Sequence, residues 1–381
     1  MNGITLNSWK RAVIKVGSGL IAPGGKRTST KYSLPIAGFI TECKNQGKEI
    51  ILVSSGAVAS GLSTQPEMLK RTQRTIPEKQ ALAAIGQSLL MQSWSRFFDF
   101  PCAQILLTYD DINNRKRFVN AKNTIKQLLE FGTLPIVNEN DTVAIEELKV
   151  GDNDNLAAYV AMLAEADLLI ICSDIDGLFD ADPKKNKNAK LIPVVEKIDN
   201  SIYSLAGGTK NSIATGGMKT KIEAAEKATV RGITTIILNA TKREVFDLLL
   251  KGKQAGTIFK KNPKPMTAKK HWMLHALVSS GKIIVDAGAA KAVVQKGASL
   301  LPSGIISVEG AFNSGDAVSI LVKEGKNIRE IAKGISRYNA GDLKKIQGKK
   351  TLEIKNILGD NSVSEVVHRD ELVLIEEVQR N

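Results

Sequence analysis

The sequence predicts an α/β protein with a mainly parallel, open sheet sandwiched by helices, followed by a small, mostly β, barrel-like module. Two observations predict the sheet: the first 260 residues alternate strand-like and helix-like patterns, and the strand-like runs are almost continuously apolar. Such runs are typical of strands buried on both faces, as in parallel sheets covered by crossover helices. After about residue 270 the alternating strand and helix patterns give way to short β-like runs separated by glycine-containing turns, which predicts the separate module.

Six strands are predicted in the larger part, at 12–16, 50–53, 104–107, 134–137, 168–171 and 235–238. Helical patterns lie among them, at 33–47, 78–99, 112–131, 154–166, 217–231 and 243–251. Strands that alternate with helices at this spacing indicate βαβ units. The patterns leave the order of the strands open.

The C-terminal part begins after a basic segment. Residues 251–270 contain seven lysines, two prolines and no acidic residue, which favours a solvated linker over a specific polyanion site. Short β-like runs follow at 283–285, 305–308 and 317–321, separated by glycine-containing turns. We therefore predict a large domain over 1–260, a linker over 261–277, the β module over 278–360 and a tail over 361–381.

Composition excludes several classes of protein. The 381 residues contain no apolar run of about 18 residues, so no membrane span or membrane partner is expected. The first residues lack the pattern of a secretory signal, and the three cysteines lie far apart in apolar segments, so a cytoplasmic location is expected. All three histidines lie beyond residue 270, which excludes histidine bases and histidine-ligated metals from the larger domain.

Two common phosphate-binding motifs are absent. None of the six Gly-Lys pairs is followed by serine or threonine, as a Walker loop requires. Gly17 and Gly19 have no third glycine at position 22, so a dinucleotide fingerprint is absent too.

Polar residues nevertheless follow the first two predicted strands. Lys15 lies in an apolar run that continues into Gly17-Ser18-Gly19, and Ser55 follows the second run. Lys15 could be a strand-edge lysine with a solvated ammonium group, and the serines could form a simple turn. Alternatively, both segments lie at the carboxyl edge of a parallel sheet, where such folds bind ligands, and the glycines let backbone amides approach a phosphate.

An acidic segment lies in the middle of a chain whose net charge is +14. Between Glu139 and Asp182 there are twelve acidic residues and one lysine, and four of the acidic residues lie in the strings 138–141 and 151–155. A solvated loop or a helix cap would explain part of this pattern. A cap needs one residue, however, so the surplus suits the ammonium group of a ligand or the orientation of nearby lysines.

A glycine-rich helix entry completes the set. Residues 215–221 open a long amphipathic helix, and Lys221 lies about one turn into it. An ordinary helix start is the alternative, but free amides and the helix dipole favour an anion there. Ser173 and Asp174 end another buried strand, where they could meet a ribose or a base.

This combination of lysines, glycine-rich cradles, acids and amides without histidine suits phosphoryl transfer by positioning and electrostatics. A carboxylate acceptor, whose ordinary pKa is about 4.3, is already ionised and needs no base. It needs charge neutralisation, which lysines and Mg²⁺ supply.

Several of these strings resemble the amino-acid kinase family, in particular its members that phosphorylate the side-chain carboxylate of glutamate at the first step of proline synthesis. They are residues 13–18, 54–57, 137–141, 149–155 and 215–221. Residues 297–305 and 334–338 resemble the PUA domain found in bacterial members.

The resemblance implies the amino-acid kinase fold, with ATP and L-glutamate as substrates and Mg²⁺ as a cofactor. It implies that Lys15 and Lys221 stabilise the transferring phosphoryl group, that Asp154 holds the lysines, and that Ser55, Asp141 and Asn153 bind glutamate. The residues implied in ATP binding are Lys15, Ser173, Asp174, Thr215, Gly216, Gly217, Met218, Lys219, Thr220 and Lys221. It also implies feedback inhibition by proline and a homo-oligomer, dimer or tetramer, while protein ligands of Mg²⁺ remain unassigned.

Two alternatives stay open. The acceptor could be N-acetylglutamate, aspartate or a nucleoside monophosphate, although the string 138–141 favours a ligand with a free ammonium group. RNA binding is the alternative of another class, because the sequence pI is about 9.5. The C-terminal module has few aromatic residues for stacking bases, which disfavours it.

Overall fold

The computed structural model divides into two compact units, Met1–Pro265 and Met266–Asn381. The residues that it describes are 9–25, 28–71, 73–144, 153–183, 185–206, 217–263, 279–324, 327–349, 351–359 and 364–375. Most of the predicted linker, 261–277, lies outside them. None of the helices within these ranges is long and apolar enough to cross a membrane.

An eight-stranded sheet forms the centre of the first unit. Its strands are β1 Arg11–Val16, β2 Glu49–Ser54, β3 Cys102–Leu107, β4 Leu134–Glu139, β5 Leu168–Ser173, β6 Val194–Val195, β7 Thr234–Asn239 and β8 Thr257–Phe259. They are ordered β3-β4-β2-β1-β5-β7-β8-β6. The six predicted strands are β1 to β5 and β7, which pair with one another in parallel.

The two strands at one edge of this sheet were not predicted. β8 runs antiparallel to β7, and β6 pairs with β8. With three and two residues, these strands are too short to produce an apolar run that a sequence pattern can distinguish from a loop.

Helices cover both faces of the sheet. They are α1 Ser18–Ile21, α2 Thr30–Asn45, α3 Ala57–Leu62, α4 Pro66–Leu69, α5 Ile76–Ser95, α6 Tyr109–Asn113, α7 Arg115–Glu130, α8 Asn153–Leu163, α9 Asn200–Leu205, α10 Met218–Val230 and α11 Glu244–Leu250. The helix predicted over 112–131 is confirmed as α7, but residues 112 and 113 belong to the separate helix α6. The chain leaves α6 at Asn114, which has an extended backbone and caps α7 by accepting from the amides of Lys116 and Arg117.

Alternation along β1 assigns its side chains to two cores. Ile14 belongs to the core under α2, α5 and α11, whereas Val13 belongs to the core under α8 and α10. Because successive side chains of a strand face opposite ways, Lys15 lies on the face of Val13. The pattern of the strand therefore directs Lys15 towards α8 and α10.

Two glycines hold α3 against α5. A Cβ atom at Gly86 would lie 1.8 Å from the carbonyl oxygen of Ala57, and one at Gly61 would lie 2.0 Å from that of Leu82. Any side chain at either position would separate the helices. The turn that follows β2 is thus packed closely against the long helix α5, which restricts the position of the residues between β2 and α3.

The second unit contains a five-stranded sheet ordered β10-β9-β11-β12-β13. Its strands are β9 Gly281–Val285, β10 Ile305–Gly310, β11 Ala317–Glu324, β12 Asn327–Ile335 and β13 Leu372–Leu374. Its helices are α12 Ala287–Lys296, α13 Ala340–Ile346 and α14 Thr351–Leu358. The predicted tail, 361–381, is wrong for residues 364–375: β13 pairs with β12, and Val366, Val367 and Val373 are buried.

Candidate active site

Two buried lysines share one buried carboxylate where β1, α8 and α10 meet. The ammonium group of Lys15, near the end of β1, pairs with Oδ1 of Asp154 in the first turn of α8. Nζ of Lys221, in the first turn of α10, lies 3.0 Å from Oδ2 of the same carboxylate. Asp154 is fully buried and the lysines are 3% and 9% exposed. The fold therefore concentrates three charged groups in a low-dielectric region.

The first turn of α10 adds further hydrogen bonds to this cluster. The hydroxyl of Thr220 donates to Oδ2 of Asp154 at 3.0 Å, and Nζ of Lys221 donates to the carbonyl oxygen of Gly217 at 3.4 Å. The formal charges of the two lysines and the aspartate sum to +1. A surplus positive charge held in place by hydrogen bonds suits an anion that must be stabilised without reorganisation of the site.

Both lysines line one cavity of about 200 Å³, here called the small cavity. Ser173 and Asp174, at the end of β5, line it as well, and the hydroxyl of Ser173 donates to Asp174 at 3.3 Å. Among the described residues that line the small cavity, Cys172 is the remaining ionisable one. The structure thus brings together Lys15, Lys221, Ser173 and Asp174, as the sequence predicts.

A second cavity of about 530 Å³, here called the large cavity, adjoins the small one. Ser18, Gly19 and Ser55 line both cavities and therefore mark their boundary. Asp141 and Asn153 line the large cavity. The large cavity thus contains all three residues predicted to bind an acceptor, Ser55, Asp141 and Asn153. Ser55 lies where the large cavity meets the small cavity.

A chain of side-chain amides runs behind the wall of the large cavity. Nδ2 of Asn153 donates to Oγ of Ser55 at 2.6 Å and to Oδ1 of Asn138 at 2.9 Å. Asn138 in turn donates to Oε1 of Gln87 at 2.9 Å, and Gln87 to Oε1 of Gln104 at 3.3 Å. These bonds orient Asn153, which is the neighbour of Asp154 in the sequence. Consecutive residues at the start of α8 therefore serve the two cavities.

Gly56 allows the chain to turn sharply between Ser55 and α3. Its φ is +111°, and a Cβ atom there would lie 2.8 Å from Cγ2 of Ile21. A side chain at this position would be strained by the backbone and would also displace α1. The glycine after the serine pair is thus a structural requirement of the boundary between the cavities.

Sequence reasoning missed two charged residues of the large cavity, Glu139 and Arg74. In the sequence, Glu139 is distinguished only by its place in the acidic string 138–141. Arg74 lies in the basic stretch between α4 and α5, where nothing in the pattern distinguishes it from Lys70 or Arg71. Its Nη2 donates to the carbonyl oxygens of Met68 and Arg71, at 2.7 and 3.0 Å.

The thiol in the small cavity is not an activated nucleophile. Burial raises the pKa of Cys172 to about 12, although the ammonium group of Lys15 acts in the opposite direction. A thiol with so high a pKa stays protonated at neutral pH and is a poor nucleophile. The chemistry of this site therefore depends on the lysines.

Other residues predicted to bind the nucleotide have different environments. Met218 packs against the apolar core under α8 and α10. Lys219 is buried, and its Nζ lies 4.0 Å from Oε1 of Glu223 on the same helix. Thr215 and Gly216 lie outside the described residues. The assignment of these four residues to the nucleotide stays a prediction.

Within the described part of the chain, no group of three or more histidine, cysteine, aspartate or glutamate residues could hold a metal ion. Asp154, the buried carboxylate nearest the lysines, is engaged with both of them. These residues therefore do not form a metal site of their own.

Comparison with models of known protein families shows the family to which the chain belongs. The model of the amino acid kinase family matches residues 10–239, which is more than half of the chain. The chain belongs to the amino acid kinase family. A model of the PUA domain matches residues 281–358. As a member of the amino acid kinase family, the protein is a phosphotransferase.

Curated relatives match the chain over nearly its full length. A glutamate 5-kinase of Salinibacter ruber is 57% identical, covering 98% of this chain and 100% of that protein. Glutamate 5-kinases of Idiomarina loihiensis and Syntrophotalea carbinolica are 53% and 49% identical, each over 97% of this chain and 99% and 98% of the relatives. The resemblance thus includes both units of this amino acid kinase.

Proposed function

We propose that the protein is a glutamate 5-kinase, which transfers the γ-phosphoryl group of ATP to the side-chain carboxylate of L-glutamate. A carboxylate oxygen bonds to the γ-phosphorus as the bond from that phosphorus to the β–γ bridging oxygen breaks, giving L-glutamyl 5-phosphate and ADP. The observation that carries this proposal is the boundary at Ser18, Gly19 and Ser55, where the two cavities adjoin. An acceptor in the large cavity reaches the small cavity there.

The electrostatic difficulty of this reaction supports the role of the lysines. Two unit negative charges 4 Å apart repel by about 4 kcal/mol at the effective dielectric constant of a protein surface. Lys15 and Lys221 line the small cavity, where the γ-phosphoryl group would lie, and their charge exceeds that of Asp154. They would offset this repulsion in the transition state, and Asp154 would keep both ammonium groups in position.

The acceptor needs no general base, since a carboxylate is ionised at neutral pH. Asn153 and Ser55 would orient it by hydrogen bonds, and Asp141 would accept from the ammonium group of glutamate. MgATP is the co-substrate in this proposal. Because the described residues form no metal site, no step is assigned to a protein-bound metal.

Formation of an acyl phosphate tests the proposal directly. The full chain is incubated with MgATP, L-glutamate and hydroxylamine, and the γ-glutamyl hydroxamate is measured. We expect ATP-dependent hydroxamate with glutamate and much less with N-acetylglutamate or aspartate. A preference for N-acetylglutamate would reject glutamate as the acceptor, because an acetylated amine cannot donate to Asp141 as an ammonium group does.

Two further properties are proposed with this activity. The product would begin proline synthesis, and L-proline would inhibit by occupying the large cavity in place of glutamate. A homo-oligomer of the first unit, dimer or tetramer, is also proposed, and light scattering of the full chain tests it.

A further inference from the structure

Arg74 lies at the wall of the large cavity in a segment whose conformation is well defined. Two backbone carbonyls, those of Met68 and Arg71, hold its Nη2. The next residue, Thr75, begins α5 with a capping box: its amide donates to Oε2 of Glu78 at 2.9 Å, and its hydroxyl accepts from the amide of Glu78. The guanidinium group is therefore positioned before any ligand arrives.

The charges of the large cavity are arranged in two signs. Arg74 is the one cationic residue among the described residues that line it, and Glu139 and Asp141 are the acidic ones. A ligand that complements this wall carries both a cationic and an anionic group. The head group of an α-amino acid has this chemistry.

One nitrogen of Arg74 lacks a protein acceptor. Its Nε is buried and finds no hydrogen-bond partner among the described residues. Because that nitrogen has almost no exposed surface, a ligand in the cavity cannot contact it directly. The two hydrogens of Nη2 are already donated to the carbonyls of Met68 and Arg71, so Nη1, with the positive charge of the whole group, is what remains to bind a ligand carboxylate.

We propose that Arg74 binds the α-carboxylate of the amino-acid acceptor and makes the enzyme specific for acceptors that carry this group. This inference rests on the proposed function and deepens it. The side-chain carboxylate then extends to the boundary at Ser55, next to the lysines. Binding at Arg74 keeps the α-carboxylate away from the phosphoryl group, so that only the side-chain carboxylate reaches it.

A purely structural role is the competing explanation, because Arg74 also ties two carbonyls of its own segment. The two roles differ in what they affect. A structural role changes stability and the affinity for every acceptor alike. A binding role changes the affinity only for acceptors with an α-carboxylate and leaves the KM for ATP unchanged.

The experiment compares the full-length wild type with Arg74→Gln, using L-glutamate and L-isoglutamine, in which an amide replaces the α-carboxylate. We expect Arg74→Gln to raise the KM for glutamate about 10- to 100-fold, the usual range for a hydrogen-bonded charged pair. We expect less than about a two-fold change with isoglutamine, because the group that Arg74 recognises is then already missing. An equal effect on both acceptors would overturn the proposal.

Controls separate the alternatives. Lys70→Gln removes a positive charge from the same segment without touching the cavity and is expected to leave all KM values unchanged; a matching rise there would reduce the effect to long-range electrostatics and overturn the proposal. Arg74→Lys keeps the charge but loses the planar guanidinium group, and we expect an intermediate KM for glutamate. If Arg74→Gln does not fold, two other results together would overturn the proposal. One is a wild-type KM for glutamate in Arg74→Lys, and the other is that the wild-type enzyme shows no preference for glutamate over isoglutamine.

Calorimetric titration of glutamate without ATP distinguishes failure of this inference from failure of the proposed function. If the wild type binds glutamate, and Arg74→Gln binds glutamate at least 10-fold more weakly but isoglutamine equally well, the inference stands even if no hydroxamate forms. If both bind glutamate equally, the inference fails while the kinase activity is unaffected. If the wild type neither binds nor phosphorylates glutamate, both fail.

Discussion

The small and large cavities adjoin one another, yet they are built from different groups. The small cavity contains the buried ammonium groups of Lys15 and Lys221. Both are paired with the buried carboxylate of Asp154, which holds them in position. The large cavity relies on amides, hydroxyls, two acids and one arginine held by backbone carbonyls. Fixed cations suit the place where charge shifts during a reaction, whereas directional hydrogen bonds suit the recognition of a particular molecule.

The two cavities also differ in what their loss would change. A residue that acts on the transition state changes turnover, and one that acts on substrate binding changes KM. If the division between the cavities is correct, substitutions in the small cavity lower kcat and substitutions in the large cavity raise the KM for the acceptor.

The largest effect is expected from Lys221→Ala. Loss of this ammonium group removes stabilisation of the transferring phosphoryl group, and we expect kcat to fall by about 100- to 1000-fold. The fold should survive, since Asp154 keeps its pairing with Lys15 and its hydrogen bond from Thr220. Steady-state kinetics and a thermal melt measure the two properties.

Lys227→Ala is the matched control for that substitution. It removes a lysine from the same helix, α10, whose Nζ donates to Oδ1 of Asn155 at 2.7 Å and lines neither cavity. We expect its kcat to stay within about three-fold of the wild type, a change of less than 1 kcal/mol in the barrier. Near-normal turnover in Lys221→Ala, or an equal loss in Lys227→Ala, would contradict the role assigned to the small cavity.

Asp141→Asn tests the large cavity. The substitution keeps the shape of the side chain but removes the charge that would face the ammonium group of glutamate. We expect the KM for glutamate to rise about 10-fold, with the KM for ATP unchanged. Asp99→Asn, at an exposed residue that lines neither cavity, serves as control. An unchanged KM for glutamate in Asp141→Asn would exclude this aspartate from acceptor binding.

Proline provides a smaller effect at the same cavity. An inhibitor that occupies only the large cavity competes with glutamate, so the apparent KM for glutamate should about double when proline equals its inhibition constant. The maximal rate should not change at saturating glutamate. A lowered maximal rate under those conditions would place proline outside the large cavity.

The sheet was predictable because its strands are buried on both faces, which produces apolar runs such as 168–171 that few other structures explain. The break between α6 and α7 at Asn114 was not predicted, since the residues on both sides have helical periodicity. The helices of the second unit were missed for a related reason: α12 is rich in alanine and valine and lies among β-like runs. Local propensity does not decide between these structures without tertiary contacts.

The site was partly predictable for a geometric reason. Lys15, Ser55 and Ser173 each lie at or near the end of a parallel strand, and such ends meet at one edge of a sheet. Arg74 has no such marker. Its place at the large cavity depends on the packing of α3 against α5, which brings a surface-like segment to the wall. Only coordinates reveal a residue of that kind.

The smallest effect is expected at Cys172, which tests whether the small cavity works without a nucleophile. Raising the thiol pKa from 9.0 to about 12 lowers the thiolate fraction at pH 8 by about 1000-fold. The thiol of Cys172 therefore stays protonated over the neutral range and ionises only as the pH approaches the raised pKa. We therefore expect iodoacetamide at pH 8 to leave activity unchanged and mass spectrometry to find Cys172 unmodified in the folded protein, while the urea-unfolded chain is alkylated. Rapid inactivation at pH 8 that MgATP prevents would contradict this environment, because it would require an accessible thiolate beside Lys15.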